Sequence, residues 1–134
     1  QDGSGKGIYA QRYAATGARL GTTFRINTRT ASDQAEPALA ARLDSGFVAA
    51  WTSTGQDGSG KGVYGRIYNA GATAAEAEFR LSTTTANNQS QPAVAVLSPI
   101  GFLAAWTSLG TDGGLEGIYG QRFLMRISAD QPIR

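Results

Sequence analysis

The side chains best suited to chemistry are the oxygen-bearing residues of a glycine-rich loop that recurs along the chain. The loop reads Asp-Gly-Ser-Gly-Lys-Gly at positions 2–7 and again at 57–62, and a degenerate copy begins at 112. Calcium loops place oxygen ligands at alternate positions and a glycine at the sixth. The candidate calcium ligands are Asp2, Ser4, Asp57, Ser59 and Asp112.

The same loop can also be a hairpin turn that binds nothing. Lys61 stands where a calcium loop carries its third oxygen ligand, and its charge would oppose the ion. The degenerate copy has Glu116 at that position but Gly114 in place of the serine. Glycine reaches the positive φ that tight hairpins require. We therefore favour the turn and expect no cofactor, with calcium as the remaining candidate.

A second candidate set consists of recurring aromatic residues and one neighbouring arginine. The set is Trp51, Trp106, Tyr64, Tyr119 and Arg66. Exposed aromatic rings can stack on sugars, and repeated rings would make a multivalent carbohydrate-binding protein. The alternative is that tryptophan and tyrosine fill the space between sheets and pair their polar atoms at the rim. We favour the packing role for the tryptophans and keep both interpretations.

No group of side chains identifies a catalytic site. The chain has no histidine and no cysteine, so the commonest general base and the thiolate nucleophile are both missing. The carboxylates are scattered and mostly lack a counterpart in the other copy of the repeat. They are Asp33, Glu36, Asp44, Glu76, Glu78 and Asp130. We predict that the protein is not an enzyme.

Charge and hydropathy exclude two further classes of partner. The net charge is +2 with 16% charged residues, and the arginines form no cluster, whereas nucleic-acid binding needs a clustered basic patch. No apolar run approaches the roughly 20 residues of a membrane-spanning helix. We expect neither a nucleic-acid partner nor a membrane span.

The elements that must position these residues are set by a repeat of 55 residues. Residues 1–55 and 56–110 align without a gap and are identical at about half of their positions, and residues 111–134 begin a third, partial copy. A period of this length is typical of propellers, solenoids and arrays. We treat residues 1–134 as one repeat domain.

Each period contains four short β-favouring segments separated by turn residues. In the first copy they span residues 8–13, 22–27, 38–43 and 47–52, with Pro37 expected at the first position of the third strand. The third and fourth segments are apolar on both faces, so we expect both faces to be covered. The sequence therefore predicts an all-β fold.

The repeat also resembles a known class. Its motifs are Pro-Ala-x-Ala, Gly-Phe-x-Ala-Ala-Trp-Thr-Ser and Asp-Gly-Ser-Gly-x-Gly-x-Tyr. They resemble the tandem repeats of large secreted or cell-surface bacterial proteins, and loosely the blades of sialidase-type and integrin-α-type β-propellers. The resemblance implies an extracellular or cell-surface adhesive or structural role, with glycans or surface proteins as partners. It predicts propeller-like blades of four antiparallel strands, cut near Pro37 and Pro92.

The number of strands then suggests self-association. Cut in this way, the chain supplies two outer strands, one complete blade and a second blade whose last strand would come from residues 125–128. That is about two and a half blades, whereas closed propellers have roughly four to eight. Either copies of the chain share blades, three of them making about six, or the chain belongs to a longer array.

Overall fold

A computed structural model describes residues 5–56, 58, 60–83, 87–110 and 115–125. The described residues form β-strands and no helix, which confirms the predicted all-β class. In this part of the chain there is accordingly no helix long and apolar enough to span a membrane. The strands are β1 (Tyr9–Tyr13), β2 (Arg19–Arg25), β3 (Gln34–Ala41), β4 (Phe47–Thr54), β5 (Lys61–Tyr68), β6 (Phe79–Arg80), β7 (Gln89–Ser98), β8 (Gly101–Leu109) and β9 (Glu116–Leu124).

The strands form three antiparallel sheets in chain order. The first sheet is β1–β2, the second is β3–β4–β5–β6, and the third is β7–β8–β9. Trp51 pairs with Tyr64 across β4 and β5, and their counterparts 55 residues on, Trp106 and Tyr119, pair across β8 and β9. The sequence repeat therefore extends to the register of the strands.

Pro37 does not begin a strand as the sequence predicts, but lies inside β3. The pairing of β3 with β4 skips from Ala35 to Ala38, and Glu36 has a φ of 55°. This β-bulge removes Glu36 and Pro37 from the ladder, and a bulge is a position where a strand tolerates proline, which has no N–H to donate. The same bulge recurs in β7, where Gln91 has a φ of 56° before Pro92.

The sheets stack on one another through two apolar cores, one on each face of the second sheet. Alternate residues of β4 take part in different cores, because successive side chains of a strand point to opposite faces. The first core, shared by the first and second sheets, contains Ile8, Ile26, Ala49, Trp51, Tyr64 and Tyr68. The second core, shared by the second and third sheets, contains Val48, Ala50, Val63, Ile67, Leu81, Phe102, Ala104, Trp106 and Met125.

An aromatic trio repeats in both cores. Phe47 stacks on Tyr68 with ring centroids 4.6 Å apart, and Phe24 lies tilted against both rings. The counterparts 55 residues on repeat the arrangement, with Phe102 stacked on Phe123 at 5.0 Å. One interface is therefore built twice from equivalent residues.

The sequence predicts that β3 and β4 are covered on both faces, and the prediction is right for β4 and wrong for β3. β4 is buried on both faces from Val48 to Ser53, as expected. β3 is not, because its Leu39 is 59% exposed, and Leu43 in the turn after β3 is also exposed. The reason is that, among the described residues, the first sheet has two strands, which pack against β4 and β5 and do not extend over this face of β3.

Candidate functional site

The candidate calcium ligands Asp2, Ser4, Asp57, Ser59 and Asp112 lie outside the described residues. The adjoining part of the loop is held by hydrogen bonds: the amide N–H of Lys61 donates to Asn88 Oδ1 at 3.0 Å, and that of Lys6 to Asp33 Oδ1 at 2.9 Å. Among the described residues no three acidic, histidine or cysteine side chains are grouped to hold a metal ion.

The two tryptophans are packing residues in this structure. Trp51 is fully buried in the first core and Trp106 is buried in the second, so neither offers a ring face to a ligand. Their strand partners follow them, since Tyr64 is buried in the first core and Tyr119 packs half-buried against the second. The recurring aromatic residues are thus divided between two interfaces and form no common site.

Arg66 joins the first and second sheets. Its guanidinium donates to the carbonyls of Ile26 and Glu76 at 3.2 and 3.3 Å and lies 5.5 Å from the ring centroid of Tyr68. Tyr68 Oη also donates to the Ile26 carbonyl, at 3.2 Å. Burial raises the pKa of Tyr68, although the neighbouring Arg66 charge opposes the shift. Through these contacts Arg66 holds the first and second sheets together.

Glu78 forms a second polar junction between the first and second sheets. It accepts hydrogen bonds from the amide and hydroxyl of Thr28, beyond the end of β2, and from Gln56 Nε2 at 2.5 Å. Burial raises the pKa of Glu78, but the hydrogen bonds from Thr28 and Gln56 outweigh it and hold the pKa below its ordinary value. The ionised carboxylate therefore stabilises the junction.

Glu36 plays the corresponding part between the second and third sheets. One carboxylate oxygen accepts from Thr52 Oγ1 at 2.6 Å and from the amide N–H of Gln91 at 2.9 Å. Burial raises its pKa, but these two hydrogen bonds and the charge of Lys61 together lower it. Gln91 repeats part of this pattern, since Thr107 Oγ1 donates to its side-chain oxygen at 3.2 Å.

The side of the third sheet that faces away from the second sheet carries exposed apolar side chains. Leu103 and Ile118 point away from the second sheet and are 37% and 76% exposed. Their counterparts one repeat earlier, Val48 and Val63, are each 0% exposed because the third sheet covers them. We call this surface the outer face; its described residues are Leu103, Ala105, Thr107, Leu109, Glu116, Ile118, Gly120, Arg122 and Leu124.

The sequence did not predict that Glu36 and Glu78 join neighbouring sheets, nor that the third sheet has an exposed outer face. A signal was present for two of them: Glu36 and Gln91 both precede the repeated proline, and Ile118 aligns with Val63. Glu78 has no such signal, because its counterpart is Thr23 and its partners come from two distant loops.

Comparison of the chain with protein-family models, with curated proteins and with solved structures gives no match.

Proposed function

We propose that this protein is an exported, non-enzymatic repeat module that acts through protein–protein contact at the cell surface. In this proposal the stacked sheets are blades of a β-propeller. The observation that carries it is the outer face, an apolar surface on which Leu103, Ile118 and Leu124 are exposed together. Contiguous exposed apolar surface of this kind marks interaction sites on soluble proteins.

The equivalence of the sheets strengthens this proposal. An apolar side chain at position 63 or 48 is buried under a neighbouring sheet, and the same class of side chain stands at positions 118 and 103. Burying an isoleucine side chain is worth about 1.5–3 kcal/mol. A surface with this composition gains free energy when a partner covers it, which is the property that an adhesive or structural module requires.

The test displays the chain on the outer surface of a non-adhesive bacterium and measures cell settling and retention on protein-coated surfaces. Cells displaying the unmodified chain should clump or adhere. Cells displaying Leu103→Glu/Ile118→Glu should not, because two carboxylates on the outer face oppose its burial. The control is Leu43→Glu, which changes an exposed leucine in the turn between β3 and β4. Equal adhesion by all three cell types would contradict the proposal.

A glycan array with the same purified proteins separates this role from carbohydrate binding. The proposal predicts no saturable binding to any sugar. Saturable binding that survives Leu103→Glu/Ile118→Glu would replace it with the lectin function.

A further inference from the structure

We propose that the partner of the β8 part of the outer face is a second copy of this chain, and that the two copies build one sheet together. In this sheet β7 and β8 of one copy pair with β1 and β2 of the next, with β1 of the second copy taking the place of β9. The proposal rests on the proposed interaction function and names its partner.

The first argument is the near-identity of the two strands that would exchange. Residues 7–13 and 117–123 read Gly-Ile-Tyr-Ala-Gln-Arg-Tyr and Gly-Ile-Tyr-Gly-Gln-Arg-Phe, so five of the seven positions are identical. The same isoleucine is 4% exposed at position 8 and 76% exposed at position 118. The isoleucine of the shared sequence is therefore well buried just before β1 and poorly buried in β9, which favours residues 7–13 as the permanent neighbour of β8.

The second argument is that the first sheet lacks the strands that the third sheet would supply. Within the described residues β1 has a strand neighbour on one edge only, because the first sheet is β1–β2. In the second sheet, β5 and β6 are the strands equivalent to β1 and β2, and they follow two further strands, β3 and β4. In the third sheet, β7 and β8 are the strands equivalent to β3 and β4. In the shared sheet they would cover the exposed Leu39 of the second copy.

The third argument is that the new contact repeats an interface the chain already contains. Inside one chain, Val48 and Ala50 of the second sheet pack in one core with Phe102 and Ala104 of the third. In the shared sheet, Leu103 and Ala105 would meet Phe47 and Ala49 of the second copy in the same way. The β8 part of the outer face is then buried against side chains of the type that bury its counterpart.

The fourth argument is a polar contact that fits the same geometry. The amide N–H of Gln91 donates to the Glu36 side chain at 2.9 Å, across the second and third sheets. Gln91 occupies the position of Glu36 one repeat later, and its side-chain oxygen is an acceptor. In the shared sheet it would accept the amide N–H of Glu36 of the second copy, which continues the ladder of bulge residues.

Sharing sheets in this way gives two complete four-stranded sheets per chain, namely the second sheet and the shared sheet. Closed propellers contain roughly four to eight blades. Rings of two to four copies are therefore expected.

The test uses cysteine pairs, because the chain has no cysteine of its own. The register of β4 and β5 pairs Thr54 with Lys61, so β8 should pair Leu109 with Lys6 of the second copy. Opposed residues of antiparallel strands lie about 4.5–5.5 Å apart at Cα, which suits a disulfide. The Lys6→Cys/Leu109→Cys variant should form disulfides between copies on oxidation. The matched variant Leu109→Cys/Glu116→Cys locks β9 onto β8, because these residues are paired within one chain.

The proposal predicts that the first variant is linked into covalent rings of two to four copies and that the locked variant stays monomeric until it is reduced. Assembly of the locked variant equal to that of the reduced variant would overturn strand exchange while leaving the interaction function intact. A monomer with no disulfide between copies at any concentration would overturn self-association altogether. Surface adhesion by displayed cells would then decide the proposed function separately.

Discussion

At the scale of single residues, two carboxylates hold neighbouring sheets together. Glu78 ties the second sheet to the segment after β2, and Glu36 ties it to the third sheet. Hydrogen bonds to a charged group contribute roughly 1.5–3 kcal/mol each, more than neutral ones. Since both groups keep a lowered pKa, both junctions depend on ionisation.

We expect acid to weaken these junctions. A carboxylate whose folded pKa lies below its unfolded value of about 4.3 stabilises the fold above that pH, and the contribution is lost as the pH falls through the folded pKa. Glu78→Gln should lower the melting temperature at pH 7 by about 3 °C, equivalent to roughly 1 kcal/mol. It should also make the loss of melting temperature between pH 5 and pH 3 smaller. Glu76→Gln, in the same loop, is the control, and a pH profile of Glu78→Gln that coincides with the unmodified protein would contradict this role.

The tryptophans give a second prediction at this scale. Trp51 is completely buried, so Trp51→Ala should cost about 3–5 kcal/mol of unfolding free energy through the cavity that it leaves. Leu39→Ala, at an exposed apolar position of β3, should change it by less than about 0.5 kcal/mol. Denaturant unfolding measures both values. A loss of stability below about 1 kcal/mol for Trp51→Ala would show that the indole is not part of the core.

At the scale of elements, the hairpins are fixed by glycines whose surroundings exclude a side chain. Gly60 has a φ of 55°, and a Cβ there would lie 2.3 Å from Asn88 Oδ1. That oxygen accepts the amide N–H of Lys61, so it cannot move without breaking the hydrogen bond. The β4–β5 hairpin is therefore coupled to the segment that leads into β7.

We expect Gly60→Ala to destabilise the protein by about 2 kcal/mol, the sum of a strained positive φ and a lost hydrogen bond. Gly55→Ala is the matched control, because Gly55 has a φ of 74° but no atom within 4 Å of the added Cβ. The control should lose only about 1 kcal/mol. Thermal unfolding compares the two variants. Equal losses of stability would mean that the contact with Asn88 does not contribute to the effect of Gly60→Ala.

The strands and hairpins were largely predictable from the sequence, because alternating apolar residues and glycine-rich turns are local signals. The start of β3 was not, because the bulge at Glu36 allows the strand to continue through Pro37. The exposure of Leu39 was not predictable either, since it depends on how many strands the first sheet contains. For the same reason the local pattern could not distinguish Val63, which is covered, from Ile118, which is not.

At the scale of the whole molecule, equivalent positions of the repeat have opposite environments. Val63→Asp places a charge in the second core and should lower the free energy of unfolding by more than about 3 kcal/mol. Ile118→Asp changes the exposed counterpart and should alter the stability of the monomer by less than about 0.5 kcal/mol. Unfolding measured at low protein concentration tests the pair, and similar losses at both sites would contradict the described burial.

The outer face leads us to expect self-association of the whole molecule, because apolar side chains of the third sheet are exposed there within the described part of the chain. Light scattering coupled to size-exclusion chromatography, at rising concentrations of the unmodified chain, tests this most directly. The monomer has a mass of 14.0 kDa. We predict that the measured mass rises to between two and four times that value, and that Leu103→Asp, on the strand that stays in the shared sheet, returns it to the monomer. A mass of 14.0 kDa at every concentration, with cooperative unfolding, would contradict the account.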